Sequence, residues 1–157
     1  MDASERFDAV LATALKRVAK DRVPVFTFAL YHDHESGAVS VCVDTEESSR
    51  RSVAATNRFN ATYFAKAIAA GDLETASLWQ ANIGRSLSLG DFALVNVART
   101  SIDKIAVTGD FYLSMVRSLM AAQDRVLALS PNPERVVFAC SGASGEVAYV
   151  WSAQPAA

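Results

Sequence analysis

The sequence predicts an α+β fold, an antiparallel sheet built from hairpins with helices packed on one face. Both ends of the chain read as helix, strand, polar turn, strand, so the strands adjoin in pairs instead of alternating with helices. The 157 residues are also 51% hydrophobic and 20% charged, rich enough in apolar groups for a buried core and too poor in charge for a disordered chain. A single domain spanning residues 1–157 is expected at this length.

The first helix is expected over about Ala3 to Lys20, because Phe7, Val10, Leu11, Ala14, Leu15 and Val18 recur at three-and-four spacing. Asp2 and Glu5 have the spacing of a capping pair, and Pro24 closes the segment because the residue before proline avoids the helical region. Val23 to Val43 follows as a hairpin. Phe26, Phe28 and Leu30 fall on one face at period two and Val25, Thr27, Ala29 and Tyr31 on the other, the two-sided pattern of an inner strand. His32 to Gly37 reads as its polar turn.

Asp44-Thr45-Glu46-Glu47 then marks a helix start, where a capping side chain and two acids meet the positive end of the helix dipole. Only Asn60 to Ala70 is clearly periodic beyond it, through Tyr63, Phe64, Ala67 and Ile68, with a stop at Gly71. Asp72 caps a further short helix whose Leu73, Ala76, Trp79, Gln80 and Ile83 share a face. Phe92 to Ala98 reads as a strand. Thr108-Gly109-Asp110 opens a long helix with Tyr112, Met115, Val116, Leu119, Met120, Val126 and Leu127 as its buried stripe, ended by Pro131 and Pro133. A second hairpin, Val136 to Cys140 and Val147 to Trp151, closes the chain around a Gly-containing turn.

A formal charge of −2 argues against a general nucleic-acid binder. No apolar run reaches the roughly 18 residues of a membrane-spanning helix, and the start of the chain lacks the basic and apolar regions of a signal peptide. A cytoplasmic protein is therefore expected, with Cys42 and Cys140 as reduced core thiols inside apolar runs.

Candidate chemistry is sparse. His32-Asp33-His34-Glu35 is the densest group of potential metal ligands, but a solvated turn fixes no ligand geometry, and neither histidine has a nucleophile near it in sequence. Ser141 to Gly145 lacks the helix that a phosphate loop or a nucleophile elbow requires and reads as a hairpin turn. Arg50, Arg51 and Arg58 read as a solvated helix face, and Trp79 and Trp151 as core or interface aromatics. No cofactor or metal is expected. Between Tyr31 and Glu47 the chain carries Asp33, Glu35, Asp44, Glu46 and Glu47 without a lysine or arginine. Gathered at a rim, such acids would steer a basic partner; alternatively, those at the helix start complement its dipole.

The run Phe-Thr-Phe-Ala-Leu-Tyr-His-Asp (Phe26 to Asp33), the valine-rich strand after it, Asp44 to Glu47, and Leu-Ser-Pro-Asn-Pro (Leu129 to Pro133) resemble a small bacterial family, domain of unknown function four-three-zero-three. The resemblance covers about half the chain and supplies no catalytic residues. It implies a non-enzymatic binding role, that of an immunity protein occluding the active site of a cognate toxin. Asp33, Glu35, Glu46 and Glu47 are the residues expected to contact such a partner. The alternative is a small hydrolase or metal-dependent enzyme built on His32 and His34.

Overall fold

The structure, a computed structural model, describes residues 2–153. Its elements are, in order, α1 (Ala3–Lys20), β1 (Thr27–Asp33), β2 (Ala38–Asp44), α2 (Glu46–Ala69), α3 (Leu73–Ala76), β3 (Leu94–Ser101), α4 (Gly109–Leu127), β4 (Val137–Gly142) and β5 (Gly145–Ser152). The five strands form one sheet in the order β3-β2-β1-β4-β5. The α+β class is as expected. The sheet is mixed, however, because β1 and β4 pair in parallel while every other pair is antiparallel. Hairpins form from local turns, whereas the pairing between two hairpins is set by how their helices dock, which no local pattern encodes.

Helix α1 begins as its capping box requires: the Asp2 carboxylate accepts from the Glu5 amide, and the Glu5 carboxylate accepts from the Asp2 amide. Its expected stripe is buried, and Phe7 meets Phe111 of α4 edge-on at 5.2 Å. Together α1 and α4 cover one sheet face, closing a core that includes Leu11, Met115 and Leu119 above Phe28, Leu30, Val41 and Phe138. On α4 the stripe turns slightly from expectation. Phe111, Ser118 and Ala122 are buried, and Met120 is half exposed.

The opposite face carries small side chains, Ala29, Cys42 and Ala139, and is covered by Leu89 and Phe92 from the loop before β3. Polar contacts fasten that loop across the sheet. Arg85 donates to the Phe26 and Arg135 carbonyls, Ser86 donates its amide to Ser49 Oγ, and Ala93 donates its amide to Asp44 Oδ1.

Strand β1 starts at Thr27, later than the sequence predicts. Phe26 precedes it and is buried beneath Arg85, whose guanidinium lies 3.7 Å from the ring centroid. The strand also runs on through His32, which pairs with Val39, so the turn is tighter than expected and closes on Gly37 at φ +60°. At the other end of the chain, the β4–β5 turn shrinks to Ala143 and Ser144.

Helix α2 is the largest departure. It is one unbroken helix of 24 residues, about 36 Å long. Thr45 caps it, accepting from the Ser48 amide. Ser48 and Ser49 bury its root and Ala67 is buried near its far end, where its chief contacts are with α3 and the 3-10 turn at Ser77–Trp79. The rest projects as an arm, inserted between two strands that are neighbours in the sheet.

Candidate interaction surfaces

The two histidines lie together, but only the exposed His34 belongs to the hairpin turn. His32, only 3% exposed, occupies the helix-facing side of β1, with Nδ1 hydrogen-bonded to the Tyr112 hydroxyl at 3.0 Å. The exposed His34 ring sits 4.1 Å from it. Burial, and then the neighbouring His34, hold the His32 imidazole below the usual histidine range. Among the described residues no group of three or more His, Cys, Asp or Glu side chains is arranged to hold a metal ion.

The four acids are divided between the two ends of β2. Asp33 and Glu35 lie at the hairpin tip, and Glu46 and Glu47 open α2 at the opposite end, about 20 Å along a seven-residue strand. They form no common rim. Ser36 hydrogen-bonds the Asp33 carboxylate and Arg99 pairs with it at 2.9 Å, so its carboxyl stays well below the usual range. Glu46 accepts from both Arg50 and Arg135, at 2.5 and 2.8 Å, and Glu47 is 3.7 Å from Arg51. Glu35 has no ion-pair partner among the described residues.

Other marked residues take structural places. Ser141 Oγ accepts from the His32 amide and donates to the Glu146 carbonyl, stitching the second hairpin to the first. Cys42 and Cys140 are free and buried, and burial pushes the Cys140 thiol up to about 12. Trp151 stacks on Phe138. Trp79 stacks on Tyr63 at 4.8 Å, within an aromatic group that includes Phe59.

The α2 arm brings together what sequence spacing left separate. Phe59, Tyr63, Phe64 and Ile68 are 37–55% exposed, and beyond them Leu73, Leu78 and Ile83 are 77, 75 and 100% exposed. Between α2 and the returning chain runs a groove, crossed where Asn57 and Asn82 exchange two hydrogen bonds. Its outer part, about 400 Å³, is lined by Asn57, Ala61, Phe64 and Trp79. Its inner part, about 460 Å³, is lined by Asn57, Val53, Ile83 and the arginines Arg50, Arg85 and Arg135 with Glu46. No family model, curated protein or solved structure matches the chain. Arg85 and Arg135 drew no attention in the sequence because they stand far from Arg50 and in irregular chain. A signal for the arm was nevertheless present: Ala54, Asn57, Ala61, Phe64 and Ile68 step by three and four, a helical seam hidden by its alanines. Among the described residues, no helix is long and apolar enough to cross a membrane.

Proposed function

We propose that this chain is a non-catalytic protein-binding domain and that the α2 arm is its contact element. The exposed apolar side chains grouped on the arm, Phe59, Tyr63, Phe64 and Ile68 on α2 with Leu73 and Leu78 beyond it, carry this reading, since exposed apolar side chains concentrated on one element mark an interaction site in a folded chain. The resemblance of the first hairpin and its flanks adds a kind of partner, a bacterial toxin whose active site the domain occludes. Glu35, at the hairpin tip, is then the acid free to meet a basic partner, while Asp33, Glu46 and Glu47 reach one only by exchanging their arginines.

Affinity capture from the producing cell tests the reading, with the native chain beside a Phe59→Asp, Phe64→Asp, Ile68→Asp variant of equal melting temperature. A protein recovered stoichiometrically by the native chain and lost with the variant is expected. Identical recovery by both chains would show that the arm is not the contact element.

A further inference from the structure

The inner end of the arm groove is cationic, with three arginines against the single carboxylate of Glu46. The tip of the same arm has the complementary character. Leu73 and Leu78 are largely exposed there beside Glu74, which has no ion-pair partner among the described residues. One element thus carries an apolar, acidic projection at one end and an apolar, basic recess at the other. Two such elements laid side by side in opposite directions satisfy each other twice.

The spacing along α2 agrees. Ala61 lies midway between Arg50 and Asp72, so an antiparallel pair centred on Ala61 brings each tip to the other copy's basic end. Phe64 lies beside the centre on the groove face, whereas Phe59 packs against Tyr63 and Trp79. Ala54 and Ala61 are small and exposed and line the groove, so that face of the helix is open to a second arm. The contact would be isologous and closed, so it yields a pair and not a filament.

We propose that the α2 arms of two copies pair antiparallel about a two-fold axis near Ala61, each seating Leu73, Glu74 and Leu78 in the basic end of the other's groove. This rests on the reading of the arm as a protein-binding element and names its occupant, a second copy of the chain. The shared chemistry is charge-assisted contact between Glu74 and the guanidinium groups, with leucines covering the apolar wall beside Val53 and Ile83.

Light scattering coupled to size exclusion, run on the full chain over a concentration series, is expected to give twice the 16.8 kDa chain mass. Glu74→Arg and Arg50→Glu should each weaken association by at least about tenfold, the scale of a lost charge-assisted contact. The two substitutions combined should restore it. Ala61→Cys should give a disulfide-linked pair under mild oxidation, because the axis brings each residue near its own copy, whereas Ala54→Cys should not. A native chain that stays monomeric at millimolar concentration overturns the pairing. If arm variants still lose a captured partner in that case, the binding role stands without self-association. A dimer indifferent to both charge reversals, or one that fails to cross-link at position 61, likewise overturns the proposed arrangement.

Discussion

Phe28 has no exposed surface and stands mid-strand in β1, where helices α1 and α4 close over it. Phe28→Ala is expected to cost about 3–5 kcal/mol, measured as a shift of the urea midpoint at constant slope. A loss below roughly 1 kcal/mol would contradict its place in the core. His32 offers a second test. Its neighbours are His34 and Asp33 on the same hairpin and Tyr112 on α4, and the folded state holds its imidazole below its ordinary value. The unfolded chain therefore binds the proton more readily. The stability contributed by neutral His32 is full above the ordinary histidine value and is lost as pH falls through roughly 6.5 towards the lower folded value. His32→Gln keeps a polar partner for Tyr112 and removes the titration, so its melting temperature should fall less steeply than that of the native chain between about pH 8 and pH 5. Parallel profiles would remove His32 as the cause. The buried thiols of Cys42 and Cys140, both pushed upward by burial, are expected to resist labelling in the native state and to react fully on unfolding.

The loop before β3 is held by a few side chains, and Arg85 does most of the holding. It donates to two carbonyls and to Thr27 Oγ1, and its guanidinium lies over Phe26. Arg85→Ala removes the donors to Phe26 and Arg135, an expected loss of about 1–3 kcal/mol. Hydrogen exchange should then quicken first at the Ser86 and Ala93 amides, which anchor the same loop to Ser49 and Asp44. Arg85→Lys is expected to rescue little, because an ammonium cannot reproduce the planar fork or the stacking. If exchange rises uniformly over the sheet instead, the arginine contributes to global stability and does not fasten the loop.

The arm is separable in principle from the layered body, because its ends meet: Ser49 and Ser86 are joined by a hydrogen bond of 2.9 Å. Replacing residues 52–83 with a short glycine linker should leave a cooperative melt and the strand content of the sheet unchanged while abolishing self-association. Loss of the cooperative transition would mean that the arm helps fold the body. The body itself settles the likeness between the two ends of the chain. α1-β1-β2 and α4-β4-β5 share an element order, and both helices lie on one sheet face. Yet β1 and β4 are parallel neighbours with β2 and β5 on their outer sides. The two units are therefore of opposite hand, and no rigid rotation superimposes one on the other.

Local periodicity was enough to place α1, α4, both hairpins and the inner position of β1, because an apolar stripe of period 3.6 or 2 reflects a face that must be buried whatever covers it. The caps at Asp2, Thr45 and Asp72 were legible for the same local reason. Contacts between distant segments were not. Nothing near Arg85 announces that its partners are the carbonyls of Phe26 and Arg135, and His32 looked like part of a solvated turn until Tyr112 and Phe111 from α4 closed over it. Helix α2 was underestimated because its stripe stays largely uncovered within the chain, so its sequence was under no demand to display a strong one. The acids between Tyr31 and Glu47 appeared as one charge cluster in the sequence. The extended strand separates them to opposite ends, and arginines from α2, β3 and the turn before β4 take up Asp33, Glu46 and Glu47, since residue order fixes charge but folding fixes what each charge meets.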